Sequence, residues 1–168
     1  MQVETQRLIL REFQREDFRK LAPILADPQV MKFSPTGILS VSETQNKIES
    51  FITSYAKYGF GKWAVLLKES NKLIGYCGIA VEQIEQKDEK EIGYRVDSKF
   101  WGKGLATEAA SAALQYGFEQ LNLPYIVGIV ERENVASVKV LKKLGMRYER
   151  ETLFQGIKMD VYRIDYAV

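Results

Sequence analysis

The sequence predicts one α/β (α+β) domain over residues 1–168, built on a mixed, mostly antiparallel, twisted sheet of about seven strands with about four helices. Three observations predict this class. Apolar stretches with β-branched residues alternate along the chain with segments of helical periodicity. A strand, an alanine-rich helix and an apolar strand follow one another over residues 91–130, which is the order of a central parallel βαβ unit. The length of 168 residues suits a single domain.

The N-terminal part of the chain predicts one strand and two helices. Apolar residues recur at helical spacing from Phe18 to Leu25, and Pro28 stops that helix because proline lacks the backbone N–H that the helix needs. Ser40 and Glu43 have the spacing of a capping box, which marks the start of the second helix. The predicted elements are a strand over residues 8–13, a helix from residues 15–17 to Asp27-Pro28, a loop over residues 33–37 and a helix ending near Gly59.

The middle of the chain predicts an antiparallel hairpin followed by another strand. Ser70-Asn71 is a turn pair between two apolar stretches, residues 63–67 and 73–81, which are therefore expected to pair. The charged residues 86–90 predict a turn, and the next strand runs from Glu91 to Val96. The antiparallel hairpin thus leads directly into the parallel unit.

The C-terminal part predicts the rest of the parallel unit, a last helix and a last hairpin. The continuous apolar character of residues 125–130 predicts a strand that is buried on both faces. Asn134 is a good N-cap and Gly145 is a natural C-terminal stop, so these two residues bound the last helix. The predicted elements are a helix over residues 105–121, a strand over 125–130, a helix over 134–144, and strands over 147–154 and 158–166 that turn at Gln155-Gly156.

Composition excludes several classes of function. The chain has no histidine, which removes Ser/His/Asp hydrolysis, Cys/His nucleophilic pairs and almost every zinc-catalysed route. Cys77 is the only cysteine, so an intramolecular disulfide is impossible and reducing surroundings suit the protein. The net charge of +2 is too small to imply direct nucleic-acid binding. Neither a signal peptide nor an apolar run of ~20 residues is present, so we expect a cytoplasmic protein with no membrane partner.

The segment from Val96 to Thr107 carries the central functional signal, because it joins a strand to a helix through Gly102 and Gly104. Glycine lets a ligand approach the backbone, and the helix start behind the turn offers unpaired N–H groups and a partial positive charge. Such a turn suits a diphosphate. A Rossmann fingerprint would need glycine or alanine at Thr107, and a P-loop would need Gly-Lys-Ser/Thr, so neither motif is complete. On spacing alone, a glycine-bearing connection before an exposed helix remains an open alternative.

A second signal follows the buried strand, where Asn134 and Ser137 fall in the first turn of the last helix. Simple capping of that helix by Asn134 is the alternative explanation. The distinguishing feature is the order of the elements: a strand, a glycine turn, an alanine-rich helix, an apolar strand, an Asn-x-x-Ser helix and the sequence Lys-Lys-Leu-Gly-Met146.

On these residues the chain resembles the GCN5-related N-acetyltransferase (GNAT) superfamily, and in particular its bacterial branch of ribosomal-protein N-terminal acetyltransferase-like proteins. The resemblance covers almost the whole chain, and it lies in the segments Thr5-Gln-Arg-Leu-Ile-Leu-Arg11, Glu91-Ile-Gly-Tyr94, Trp101-Gly-Lys-Gly-Leu-Ala-Thr-Glu-Ala109, Asn134-Val-Ala-Ser137 and Leu144-Gly-Met146. It implies an acetyl-CoA-dependent N-acetyltransferase with acetyl-CoA as co-substrate and no metal. It also implies splayed neighbouring strands that admit the pantetheine arm.

The resemblance further implies which residues bind the cofactor. Backbone amides of the glycine turn and of the helix behind it are expected to hold the pyrophosphate. The strand end at Val96 is expected to contact the pantetheine arm, where a backbone N–H could polarise the thioester carbonyl. Asn134 and Ser137 match positions that line the acyl and sulfur end. The pyrophosphate positions are Trp101, Gly102, Lys103, Gly104, Leu105, Ala106 and Thr107.

The catalytic candidates are Glu91 and Ser137. Glu91 is expected to open the strand beside the cleft and to act as a general base through a water; a solvated edge residue is the alternative. Ser137 is expected to hydrogen-bond the departing sulfur, with stabilisation of the helix start as the alternative. Two positions depart from the family pattern: Trp101 stands where Arg or Gln is common, and Leu141 stands where several members have a tyrosine as general acid.

The acceptor is expected to be an amine, either a protein N-terminus or a small molecule, that attacks directly in a ternary complex. Freeing an N-terminal α-amine at pH 7 costs about 1.4 kcal/mol, whereas a lysine side chain costs roughly 4.6 kcal/mol. Positioning, worth on the order of 7–11 kcal/mol, should therefore outweigh acid–base assistance. A catalytically silent acetyl-CoA-binding sensor or interaction module and a dinucleotide oxidoreductase are the alternatives. A monomer and a homodimer are both compatible with the sequence.

Overall fold

The computed structural model describes residues 2–167. The strands are β1 (Gln2–Glu4), β2 (Leu8–Arg11), β3 (Lys62–Leu67), β4 (Leu73–Ile84), β5 (Lys87–Val96), β6 (Tyr125–Val130), β7 (Arg147–Phe154) and β8 (Ile157–Asp165). The α-helices are α1 (Phe18–Leu25), α2 (Val41–Tyr58), α3 (Leu105–Glu119) and α4 (Val135–Lys143). Short 3₁₀ turns, Arg15–Asp17 and Ser98–Phe100, precede α1 and α3.

The strands form one sheet in the order β1-β2-β3-β4-β5-β6-β8-β7. Strand β5 pairs with β6 in parallel, and the other described pairs are antiparallel. Helices α3 and α4 cover one face, where Ala110 and Leu141 are buried, and α1 and α2 cover the other, where Leu21 and Ile48 are buried. The predicted fold class, with its mostly antiparallel sheet, parallel unit and four helices, is confirmed.

The hairpin between β4 and β5 differs from the prediction. Residues 86–90 are not the turn, because β4 continues to Ile84 and β5 begins at Lys87. The turn consists of Glu85 and Gln86, both with positive φ (55° and 65°). A two-residue turn of this kind usually contains Asn or Gly, so this pair carries no recognisable signal. Glu91 therefore lies in the middle of β5 and does not open the strand as predicted.

The N-terminal part contains smaller differences. Strand β1 was not predicted, because three residues of mixed polarity show no pattern of a strand. Helix α1 ends at Leu25, before Pro28, and the backbone continues in turns closed by the N–H groups of Ala26 and Asp27. Over residues 2–167, the chain forms no helix with the length and apolar character needed to cross a bilayer.

Candidate active site

Strands β5 and β6 separate after a short parallel contact. Over the described residues their register consists of one pair, Glu91 with Val127. The Asp97 N–H donates to Ile74 O at 2.7 Å, on the β4 side of β5. Because the direction of the N–H groups alternates along a strand, the N–H of Val96 faces the β6 side. This backbone donor therefore points into the gap between the two strands.

The glycine turn before α3 lies at the end of β5. Gly102 and Gly104 have φ values of 77° and 76°, a left-handed conformation that favours glycine. Gly104 is the N-cap of α3 and provides no side chain to cap it, so the first N–H groups of the helix are free for a ligand. The Trp101 indole donates to Val96 O at 2.8 Å, which ties the turn to the strand end. A backbone site for an anionic group is thus built beside the gap.

Arg7 and Glu108 clamp this turn to the N-terminal strands. Arg7 Nε donates to Glu108 Oε1 at 2.7 Å, and the Arg7 backbone N–H donates to Glu108 Oε2 at 2.8 Å. The Thr5 hydroxyl donates to Glu108 Oε2 at 2.5 Å, and Arg7 Nη1 donates to the carbonyl oxygen of Lys103 at 2.9 Å. Although burial raises the pKa of Glu108, the hydrogen bonds from Thr5 and Arg7 hold it below its ordinary value. The clamp therefore fixes the turn and the first turn of α3.

Replacing Glu108 by Gln is expected to lower the free energy of unfolding by about 1–2 kcal/mol, since the charged hydrogen bonds are lost but Arg7 is half-exposed. It should also weaken binding of the expected co-substrate acetyl-CoA, because the turn loses its support. Thermal melting with and without acetyl-CoA measures both effects. The control is Glu119→Gln at the exposed end of α3, and equal behaviour of the two variants would contradict the role of the clamp.

A cavity of about 180 Å³ opens at the gap and reaches both faces of the sheet. Its lining comes from residues far apart in the chain, which lie on six strands, on helices α2 and α4 and in the loops beside them. On the α2 face its lining includes Lys47, Lys62, Tyr76, Glu82, Glu91 and Arg95, and on the α4 face Tyr94, Asn134, Ser137 and Leu141. Within residues 2–167, no three His, Cys, Asp or Glu side chains gather as a metal site.

Lys62 and Glu91 form a buried ion pair in this cavity. Lys62 Nζ lies 3.1 Å from Glu91 Oε2, and the two side chains are only 10% and 12% exposed. A Cβ atom at Gly93 would lie 2.2 Å from Lys62 Nζ, so glycine makes room for the pair. Burial raises the pKa of Glu91, although the ammonium of Lys62 opposes this. Glu91 is therefore not a solvated edge residue; it is a desolvated carboxylate beside the gap.

Ser137 and Tyr94 meet on the opposite face. Their hydroxyl oxygens lie 3.0 Å apart, and the Tyr94 hydroxyl lies 3.2 Å from the carbonyl oxygen of Ser137. Asn134 caps α4, because its Oδ1 accepts a hydrogen bond from the Ser137 N–H at 3.3 Å. Burial raises the pKa of the Tyr94 phenol, which stays protonated. Leu141 is buried and provides no hydroxyl, so the phenol on this face of the cavity is that of Tyr94.

The structure brings Glu91, Asn134 and Ser137 together around one cavity. Val96 and the turn residues 101–107 lie outside its lining, at the carboxyl end of β5 and the start of α3. Sequence reasoning assigned no role to several participating residues, among them Arg7, Lys62, Gly93 and Glu108. One signal was available for the cavity: a glycine inside a predicted strand indicates a close approach by another group.

Comparisons with known proteins bear on the family and the fold of the chain. Residues 7–147 match the family model described as an acetyltransferase (GNAT) domain. The uncharacterized N-acetyltransferase p20 of Bacillus licheniformis is 35% identical over 166 residues, which cover 94% of this chain and 91% of that protein. The crystal structure of an acetyltransferase from Agrobacterium tumefaciens superposes with a TM-score of 0.86 at 26% identity, covering 99% and 95% of the two chains.

One further structure is described as a ribosomal L7/L12 alpha-N-protein acetyltransferase in complex with coenzyme A. It superposes with a TM-score of 0.80 and covers 98% of both chains. Its sequence identity of 18% shows a shared fold alone.

Proposed function

The chain belongs to the GNAT acetyltransferase family, and on that premise we propose that it transfers an acetyl group from acetyl-CoA to a primary amine by direct attack in a ternary complex. It is an N-acetyltransferase, and the general reaction of its family is acetyl-CoA-dependent acetylation of amines. The observation that carries the proposal is the cavity at the β5–β6 gap, which has a desolvated carboxylate on one face and a pair of hydroxyl groups on the other. The two faces can serve the two substrates separately.

The proposed cofactor site consists mainly of backbone donors. The glycine turn and the uncapped start of α3 fit a pyrophosphate, since their N–H groups are free and their positive end attracts anions. The pyrophosphate positions are Trp101, Gly102, Lys103, Gly104, Leu105, Ala106 and Thr107. The Val96 N–H is assigned to the thioester carbonyl, and Asn134 and Ser137 are assigned to the sulfur end. Acetyl-CoA supplies the activated acetyl group.

The residues around the gap can assist the proton transfer that the reaction requires, which runs in net terms from the acceptor nitrogen to the leaving sulfur. A bond forms between the acceptor nitrogen and the acetyl carbon, and the bond from that carbon to sulfur breaks. Glu91 takes the proton that the nitrogen loses, through a water, because its raised pKa makes it a better base than an exposed carboxylate. Ser137 donates a hydrogen bond to the departing sulfur, and the thiolate takes its proton from water, to which Glu91 returns the proton that it accepted. The Tyr94 phenol holds Ser137 in place from a distance of 3.0 Å.

The finer assignment concerns the acceptor. We place the chain with the ribosomal-protein N-terminal acetyltransferase-like branch and propose an α-amine acceptor, of a protein or of a small molecule. An α-amine suits a site in which one carboxylate is the base, because an α-amine is much easier to deprotonate at pH 7 than a lysine side chain. An enzyme of the same fold acts, by its description, as an alpha-N-protein acetyltransferase.

The test is thermal melting with and without acetyl-CoA, followed by thiol release over a panel of α-amine, polyamine and aminoglycoside acceptors. Saturating acetyl-CoA at 100 times its Kd should stabilise the protein by about 2.7 kcal/mol. Stabilisation with thiol release supports the transferase. Stabilisation without release from small amines or from peptide and protein N-termini would instead favour a silent acetyl-CoA-binding module. No stabilisation would contradict the proposed cofactor site.

A further inference from the structure

We propose that the amine acceptor carries a carboxylate close to its reacting nitrogen, and that Arg95 and Lys47 bind this carboxylate. The inference rests on the proposed function, since it concerns the acceptor side of the same cavity. It narrows the acceptor class to amino acids and similar amino carboxylates, and it disfavours polyamines.

The charges on the acceptor face are ordered along β5. The register of the β4–β5 pair determines which residues lie side by side on this face. The facing pairs, in order along β5, are Arg95 with Tyr76, Gly93 with Gly78, Glu91 with Ala80, and Glu89 with Glu82. Lys62 pairs with Gly78 from the neighbouring strand, which places its ammonium next to Glu91. Arg95 and Glu82 therefore mark opposite ends of the face, with the neutralised Lys62–Glu91 pair between them. The end near Arg95 is cationic.

The guanidinium of Arg95 has an unpaired hydrogen-bond donor that an anion could bind. Its Nε is buried, and it has no hydrogen-bond partner among the residues that the structure describes. The described ion pairs do not include its guanidinium. A buried guanidinium N–H that lacks an acceptor is costly, and the planar guanidinium matches a carboxylate in two parallel hydrogen bonds. A carboxylate of the acceptor would satisfy this group.

Lys47 adds a second cation at the same end. It reaches the cavity from α2, and its Nζ lies 5.7 Å from the ring centroid of Tyr76, the residue opposite Arg95. Its Nζ also lies 5.7 Å from the ring of Phe51, and no carboxylate of the described chain lies within ion-pair distance. Lys47 packs over two aromatic rings, and its ammonium is therefore available to bind an anionic ligand. The two cations would repel the second ammonium of a polyamine.

The cationic end lies next to the proposed reaction centre. Arg95 directly precedes Val96, whose N–H faces the gap and is assigned to the thioester carbonyl. Neighbouring positions on one face of a strand are about 7 Å apart, so a carboxylate at Arg95 and an amine beside Glu91 and Gly93 can belong to one small molecule. The cavity of about 180 Å³ fits such a molecule.

The experiment compares matched acceptors that differ in one charge. We would measure thiol release from acetyl-CoA with several α- and β-amino acids, each beside its carboxamide, together with an aminoalkyl phosphate and spermidine. The wild type is expected to prefer an amino acid over its amide by at least about tenfold in kcat/KM, because the amide leaves the guanidinium unpaired. The rate with the aminoalkyl phosphate distinguishes a site that accepts any oxyanion from a site that selects a carboxylate. Faster turnover of the amides, the phosphate or spermidine would overturn the proposal.

Two variants test the assignment to residues. In Arg95→Gln and in Lys47→Gln the ratio of kcat/KM between acid and amide should fall towards one, whereas the stabilisation by acetyl-CoA should persist. Lys57→Gln, an exposed lysine of the same helix, is the control and should keep the wild-type ratio. An unchanged ratio in Arg95→Gln would overturn the assignment.

A binding measurement keeps the inference separate from catalysis. Titration of N-acetyl amino acids and their amides into the protein saturated with coenzyme A reports the carboxylate preference without turnover. If no acceptor releases thiol, the transferase proposal fails, and tighter binding of the acids to the wild type than to Arg95→Gln still supports the carboxylate site. Equal binding of acids and amides to the wild type would overturn it.

Discussion

Replacing Glu91 by Gln is expected to lower kcat by about 10²–10⁴-fold, the usual contribution of a general base. Gln has nearly the same shape, and its amide oxygen can still accept a hydrogen bond from Lys62, so the cavity should persist while the proton acceptor is lost. Steady-state thiol release with the best acceptor measures the effect. Glu85→Gln, in the β4–β5 turn, is the control. The Glu85 carboxylate pairs with Arg150 on the surface, so this variant should leave kcat unchanged.

The pH profile tests the same role independently. Glu91 accepts a proton only when ionised, so its protonation should contribute an acid limb to kcat below its raised pKa. This contribution should disappear in Glu91→Gln, whereas the limb from protonation of the α-amine acceptor itself, at a pKa of ~7.7–8.0, should remain. In Lys62→Met the carboxylate loses the ammonium that opposes its protonation. The pKa of Glu91 should then rise further, and the Glu91 limb should move to higher pH. A Glu91 limb that stays in place in Lys62→Met, or a kcat of Glu91→Gln within about threefold of wild type, would remove Glu91 as the base.

The second large effect is expected from Gly75→Ala, which should lower the free energy of unfolding by at least about 3 kcal/mol. Gly75 has a φ of +156°, and a Cβ atom there would lie 2.0 Å from the carbonyl oxygen of Arg95 and 3.0 Å from the Cα of Val96. Main-chain atoms of a paired strand cannot move away as a flexible side chain can. The variant must therefore disturb the β4–β5 pair that forms the gap.

Gly37→Ala is the matched control for Gly75→Ala. Gly37 has a φ of +68°, but a Cβ atom there would meet nothing within 4 Å. Its cost is limited to the left-handed conformation, about 1–2 kcal/mol. Urea unfolding of both variants measures the difference. Equal losses would mean that close contact with β5 does not determine the stability of this strand pair.

The prediction from sequence was most successful where the signal is local. The parallel unit was visible because its helix and apolar strand differ in periodicity and burial over a short stretch of chain. The Asn134 cap was visible because capping depends on residues three apart, and the structure contains that hydrogen bond. The turn at Glu85-Gln86 was missed because its local signal is absent: neither residue is typical of a turn with positive φ.

The sequence by itself determined the fold class, the position of the glycine turn before α3 and the candidate residues of the cofactor side, because each depends on neighbours in the chain. Only the tertiary structure decided what surrounds Glu91. Its partner Lys62 is 29 residues away, and the clamp between Arg7 and Glu108 spans 101 residues. Strand register and helix packing bring such residues together, and both are set by the whole sheet. The pKa of Glu91 and the cationic end of the cavity follow from that packing.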